Sequence, residues 1–211
     1  MKVLLVNGSP NENGCTQRAL QEISATLQSE GVDTEFFRIG SKPVGGCTSC
    51  QKCGTLKKCV FNDSVNEFRE KAYQSDGFVF GSPVHYAGVA ENLFAFMTRL
   101  FFSEFQGNDN RAFYLKPVTG IVSARRAGAT SAFSQLNKFF TTAEMLVISS
   151  RYWNMVHGFT PEDVEKDEEG LFAMRTLGHN MAWVLRMREA ADKAGVALPT
   201  REQPVFTHFI R

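Results

Sequence analysis

Residues 2–16, KVLLVNGSPNENGCT, constrain this chain more than any other stretch. The apolar run 3–6 passes at once into Asn, Gly, Ser and Pro, and residues 16–30 then have helical character. The sequence therefore reads as a buried strand, a tight turn and a helix start. In an open parallel sheet such a turn lies outside the carboxyl end of a strand, where the free amides and positive dipole of the next helix favour an anion, most often phosphate. Ser9, Asn11, Asn13 and Thr16 offer side-chain donors, and Gly8 and Gly14 let a backbone approach closely. A plain strand-to-helix turn with a helix cap would use the same residues, so the phosphate reading depends on what the rest of the chain adds. GSPNENG is neither GxGxxG nor GxxxxGK[ST], which disfavours both a dinucleotide fingerprint and a nucleoside-triphosphate loop.

Further along, residues 34–39 are a short β-branched and aromatic run, and residues 40–46 are a Gly, Ser and Pro loop. Asp63 or Ser64 caps a helix reaching about Gln74. Residues 77–81, GFVFG, read as a third strand, short and apolar as strands buried on both faces are, and it stops in SPVHYAGV. A helix is expected over 89–105, a connection over 106–115, a fourth strand over 117–123, a helix over 131–143 and a fifth strand over 145–149. Residues 161–195 are helical in composition, and residues 196–211 lose that periodicity. The alternation of strands and helices predicts an α/β domain, doubly wound, with a parallel sheet and helices on both faces. One domain is expected over 1–195, including the cysteine loop 44–63, followed by a C-terminal tail over 196–211.

Three strand-end loops share a chemistry suited to a flat, anionic cofactor. The first is 9–16. The second, 82–89, has a stiffening Pro83, His85, the aromatic Tyr86, and Gly88 where a ring can lie against main chain; the third, 123–130, offers amides and Gly128. Backbone donors along such loops suit the nitrogens and carbonyls of a flavin ring. Arg125 and Arg126 suit a nicotinamide phosphate or, equally, solvent. Trp153 and Trp183 are expected in the core or an interface.

The net charge of +1 and the lack of a basic block exclude an electrostatic footprint for nucleic acid or an anionic membrane. No run approaches a membrane span, and the sequence is strand-like from residue 3, so a cytoplasmic location is expected. There the five cysteines are metal, cluster or redox sites rather than structural disulfides. Cys47, Cys50, Cys53 and Cys59 are spaced C-x2-C-x2-C-x5-C. Four-thiolate ligation suits a 4Fe–4S cluster or zinc, and the compact three-cysteine start favours the cluster; four reduced thiols are the alternative. Lys57 and Lys58 beside Cys59 would lower its thiol pKa or offset cluster charge. The 19 phenylalanines imply an extensive aromatic core or a face buried against a second subunit.

Taken together, VNGSPNENGCT, CTSCQKC, GFVFGSPVHYAGV and ENLFAFMTR resemble the NAD(P)H-dependent FMN reductase and iron-sulfur flavoprotein branch of the flavodoxin-like fold. The resemblance spans roughly the first 100 residues. It implies a five-stranded sheet in the order 2-1-3-4-5. It also implies an FMN phosphate held by Ser9, Asn11, Asn13, Cys15 and Thr16. The second loop, here Ser82, Pro83, Val84, His85, Tyr86, Gly88 and Val89, would pack on the ring and ribityl chain, and Ser123, Ala124, Arg125 and Gly128 would meet the far ring edge. The sequence departs from the pattern in lacking an Arg in the phosphate loop, in Cys15 where Ser is usual, and in His85 for an aromatic hydroxyl. A homodimer or homotetramer is implied, with the cysteine loop and Phe-rich helices near the interface. The expected activity is oxidoreduction from NAD(P)H through flavin to a small second acceptor such as a quinone or free flavin. No acid or base catalyst is named, because that chemistry belongs to the flavin. An electron carrier working between protein partners through FMN and a cluster is the second expectation, and a non-redox metal-binding module the third.

Overall fold

The first strand pairs in parallel on both of its sides, and the remaining elements are laid out from it. In the computed structural model, which describes residues 1–209, the chain runs β1 (Lys2–Asn7), α1 (Cys15–Ser29), β2 (Asp33–Arg38), α2 (Cys53–Leu56), α3 (Ser64–Tyr73), β3 (Gly77–His85), β4 (Gly88–Val89) and α4 (Glu91–Asn108). It continues through β5 (Pro117–Ala124), α5 (Ala129–Thr142), β6 (Leu146–Val147), β7 (Met155–His157), α6 (Pro161–Val164) and α7 (Glu168–Lys193). The parallel order is β2-β1-β3-β5-β6, with β7 farther along the same edge of β5. With β5 counted as the fourth strand and β6 with β7 as the fifth, this is the expected 2-1-3-4-5 order. No helix among the described residues is long and apolar enough to cross a membrane. Of the expected tail, Ile210 and Arg211 lie outside the described residues.

Alternation along the strands sends the two faces into different cores. Leu4 and Val6 of β1 and Phe78 and Phe80 of β3 face α3, α4 and α5, where Phe37, Phe68, Phe96, Phe101, Phe113 and Phe140 join them. Val3, Leu5 and Val79 face α1 and α7, whose Leu20, Ile23, Leu27, Met174, Leu177 and Met181 make an aliphatic core. The abundant phenylalanine therefore fills one side of the sheet. Its rings meet edge-on or tilted, as in Phe37 and Phe68 at 5.0 Å and Phe78 and Phe113 at 5.3 Å between centroids. Trp153 and Trp183 are both exposed, outside either core.

Three boundaries differ from the sequence reading. The third strand does not stop at Gly81 but runs to His85, because Ser82 and Pro83 still pair with Val122 and Ser123. Beyond it β4 turns back antiparallel, pairing Val84 with Val89 and His85 with Gly88. The fifth strand is broken. Only Leu146 and Val147 of 145–149 join the ladder, and it resumes at Met155. Across the break Asn154 donates from Nδ2 to Thr119 Oγ1 (2.9 Å) and to the Gly120 carbonyl (3.1 Å), and its own carbonyl accepts from Val122 N (3.0 Å). Those side-chain bonds satisfy buried groups that an unbroken strand would have paired. Finally, the 161–195 segment is two helices joined at Asp167, which caps α7 by accepting from Gly170 N.

At the amino-terminal end of β5, Lys116 donates to the Ala72 carbonyl (2.8 Å) and lies over the Phe78 ring. Burial pushes this ammonium down from 10.5 to about 8. The unfolded chain then holds a proton between pH 8 and 10.5 that the folded chain has lost, so stability rises with pH across that window. Urea denaturation across it is expected to show that rise in the wild type and a flatter profile in Lys116→Met. Parallel profiles would contradict it.

Candidate functional site

The loop between β1 and α1 is shaped by its own side chains. Asn7, buried at the end of β1, accepts from Ser9 N (2.9 Å) and donates to Gln17 Oε1 (2.9 Å), while Ser9 Oγ accepts from Asn11 N (3.1 Å). Arg38, at the end of β2, braces the loop from outside by donating to Glu12 and to the Pro10 carbonyl. Gly8 donates to the Gly81 carbonyl at 2.9 Å, and a Cβ there would sit 2.8 Å from that oxygen, so only glycine lets the two strand ends approach. Thr16 and Ser123 share a buried hydroxyl bond of 2.8 Å that ties α1 to the end of β5.

The helix starts fall into two groups. Asp63 caps α3, Thr160 and Asp163 form a capping box on α6, and Asp167 caps α7. By contrast, no side chain among the described residues caps α1, α2, α4 or α5, which begin after Gly14, Lys52, Ala90 and Gly128. Of these, α1, α4 and α5 follow β1, the β3–β4 hairpin and β5, and so begin at the carboxyl edge of the sheet. The first-turn amides of α1 are the donors that a bound anion would use.

Around them lies a cavity of about 340 Å³. Of the residues expected to bind a cofactor, it gathers Ser9, Asn11, Cys15, Thr16, Pro83, Val84, His85, Ser123, Ala124 and Arg125. The others stand outside its lining. Asn13 is exposed on the loop, and buried Ser82 donates to the Pro83 carbonyl and accepts from Ala90 N. Tyr86 projects fully into solvent at the hairpin tip, Gly88 and Val89 form the returning strand, and Gly128 starts α5. Gly158, Phe159 and Pro161 supply a wall that the sequence reading missed. The three-residue β7 before them is too short for a periodic signal. Burial raises the Cys15 thiol, which donates to the Gly158 carbonyl, so Cys15 is a packed neutral group. His85 Nδ1 bonds Glu91 at 2.8 Å, and that bond holds the Glu91 carboxyl below its ordinary value.

Cys47, Cys50, Cys53 and Cys59 line one second pocket with Phe61, Phe102 and Arg99. The loop curls through left-handed Ser49, Gln51 and Lys57, and Cys53 opens the short helix α2. Cys53 is buried and its thiol raised by that burial, whereas exposed Cys50 is lowered by its hydrogen bond from the Lys52 amide. Among the described residues no three His, Cys, Asp or Glu side chains converge on a single metal-ion position. Lys57 and Lys58 are exposed; the cation in contact with Cys59 is Arg99. A groove lined by Gly46, Cys47, Gly88, Val89 and Glu91 joins this pocket to the β3–β4 hairpin.

The profile of NADPH-dependent FMN reductase matches residues 1–160. The chain belongs to that family. Membership makes it a flavin-dependent oxidoreductase in class. An iron-sulfur flavoprotein of Methanocaldococcus jannaschii is 29% identical over 196 residues, covering 89% of this chain and 98% of that protein. Another, from Archaeoglobus fulgidus, is 26% identical and covers 87% and 97%. Among solved structures, RosB with bound 8-demethyl-8-formylriboflavin-5′-phosphate superposes with a TM-score of 0.69 at 14% identity, covering 100% of this chain and 94% of that one. At that identity the likeness is one of fold.

In this FMN reductase family member the hairpin tip is a strained element. Tyr86 and Ala87 both have positive φ, 46° and 61°, a conformation that side chains rarely adopt. Gly128, at φ +90°, packs beneath it, and a Cβ there would lie 2.8 Å from Ala87 Cα and 3.1 Å from Val84 Cγ1. Gly128→Ala is expected to cost about 1–3 kcal/mol in urea denaturation. A change under about 0.5 kcal/mol would show that the hairpin is free to move.

Proposed function

We propose that the protein holds FMN in the carboxyl-edge cavity and uses it to pass electrons from NADPH or NADH to a second small acceptor, with the four-cysteine pocket holding a 4Fe–4S cluster as a one-electron relay. The observation that carries the flavin reading is the convergence, on one cavity, of the uncapped α1 amides, the Ser9 and Thr16 hydroxyls and the Pro83–Val84 backbone. When bound, FMN supplies the hydride and electron chemistry, and the cluster supplies single-electron steps.

The chain's own groups divide the work. First-turn amides of α1, with Ser9, Asn11 and Thr16, take the phosphate. Pro83 and Val84 present a stiff apolar surface to the ring, and the 123–125 backbone supplies amides at its edge. His85, tethered through Nδ1 to Glu91, keeps Nε2 for a hydrogen bond to the ring or the substrate. Arg125 and Arg126 are exposed beside the cavity, suited to a nicotinamide phosphate. None of these is required as an acid or base.

For the second pocket, the donor chemistry favours the cluster over zinc. Zinc needs its ligands within about 2.3 Å of one ion, whereas a 4Fe–4S cube takes each thiolate on a separate iron. Four thiols lining one pocket, three of them from the compact C-x2-C-x2-C start, suit the cube. The groove from Cys47 to β4, whose partner strand carries Val84 and His85 of the flavin cavity, would be a path for electrons between the two sites. That path, and relatives named iron-sulfur flavoproteins, also support the second reading, an electron carrier between proteins. The apolar cleft of about 500 Å³ between α4 and α5, lined by Phe94, Phe102, Phe105 and Phe139, supports a second copy of the chain docking there as a homodimer or homotetramer. A cytoplasmic location completes the proposal.

Fluorescence titration with FMN and riboflavin, followed by anaerobic mixing with NADPH and NADH, tests the reading. FMN is expected to bind at least about tenfold more tightly than riboflavin, worth about 1.4 kcal/mol from the phosphate, and one nicotinamide is expected to bleach the flavin. Equal affinities would contradict the phosphate site, and flavin reduced by dithionite alone would favour the carrier.

A further inference from the structure

Arg99 lies on α4, 2% exposed, with its head against the thiol pocket. All five of its N–H donors are engaged. Nε and Nη2 each donate to Cys59 Sγ at 3.3 Å. Nη1 donates to Asp63 Oδ2 (2.7 Å) and to the Gly45 carbonyl (3.3 Å), and the second Nη2 proton goes to Asp63 Oδ1 at 2.9 Å. Gly45 precedes the first cysteine and Asp63 follows the last, so one guanidinium clamps both ends of the cysteine loop. The Phe61 ring covers its outer face at 4.8 Å.

A clamp alone would not need two donors on a sulfur. The Cys59 backbone is already fixed, since Asn66 accepts from its N–H (3.1 Å) and donates to its carbonyl (2.9 Å). What remains to be set is the sulfur. A thiol is a weak acceptor, and a metal-bound thiolate a strong, charge-assisted one. Donors to ligand sulfurs and nearby buried charge are the levers by which a protein sets the potential of an iron–sulfur cluster. Asp63 offsets part of the Arg99 charge but leaves both N–H donors on Cys59.

We propose that Arg99 is the positioning residue of the thiol pocket: it fixes the Cys59 corner and, through its two hydrogen bonds to that sulfur, raises the reduction potential of the cluster. The inference rests on the cluster reading above. With a cluster bound, an electron received from the flavin would add negative charge at the thiolates, and the Arg99 donors to Cys59 would stabilise that charge. The planar fork matters, because a lysine ammonium cannot serve Asp63 and the sulfur bidentately at once.

The test compares wild type, Arg99→Lys, and Arg99→Met combined with Asp63→Asn, which removes both partners of the ion pair together. Each is reconstituted anaerobically with iron, sulfide and FMN. Iron and FMN per chain are then measured, and the cluster is followed by electron paramagnetic resonance in a dye-mediated redox titration. The expected order of midpoint potentials is wild type, then Arg99→Lys, then the double variant. Poised at the wild-type midpoint, the double variant should show at least a tenfold lower reduced-to-oxidised ratio, about 59 mV for one electron. FMN content should be unchanged, since Arg99 does not line the flavin cavity. If the double variant holds no iron, Arg99→Lys decides alone, and a wild-type potential there overturns the proposal. Equal potentials in all iron-bearing forms overturn it as well. A wild type that takes up no iron sinks the cluster reading and Arg99's role with it, and that outcome is told apart by iron content alone.

Discussion

Two-sided parallel pairing of β1 is the constraint from which the rest of the molecule follows. With β2 on one side and β3 on the other, the carboxyl end of β1 lies where the strand order reverses. The two flanking connections leave in opposite directions at that point and open a crevice. The central strands β1, β3 and β5 are buried on both faces, so their polar ends are among the few places where they can present hydrogen-bonding groups to a ligand.

The helix caps carry the same asymmetry further. In α3, α6 and α7 the chain satisfies the first amides with Asp63, with Thr160 and Asp163, or with Asp167. In α1, α4 and α5, which begin after β1, the β3–β4 hairpin and β5, glycine or alanine stands in the cap position. A capped helix has offset its own positive end, and an uncapped one offers it to an anion. The strained tip at Tyr86 and Ala87, non-glycine residues in a left-handed turn, falls at the same edge. Strain of this kind persists where surrounding packing over-determines it, here by Gly128 beneath the tip.

Most of the architecture was legible in the sequence because apolar strands and periodic helices alternate in it, and the strand order followed from the family resemblance. What escaped was short or depended on distant partners. Two-residue β6 and three-residue β7 carry no period, so the Gly158–Phe159 wall after them had no signal. Asn7 looked like the first residue of a turn, and only the structure shows its side chain holding Ser9 and Gln17 in place. Tyr86 followed by Ala87 gives no hint of a two-residue hairpin, which usually announces itself with Asn-Gly. Arg99 sits in an apolar helix where a charged residue suggests a solvated face, and its five hydrogen bonds go to Gly45, Cys59 and Asp63, far away in sequence. Lys57 and Lys58, adjacent to Cys59 in the chain, were the visible cations.

The most direct test of the account is the absorbance spectrum of protein purified without oxygen, with flavin, iron and zinc quantified on the same sample. The account requires a two-banded flavin spectrum over broad iron–sulfur absorption, with one FMN and about four irons per chain, as a 4Fe–4S cluster demands. Protein that carries zinc and takes up no flavin, even on reconstitution with FMN, would contradict it.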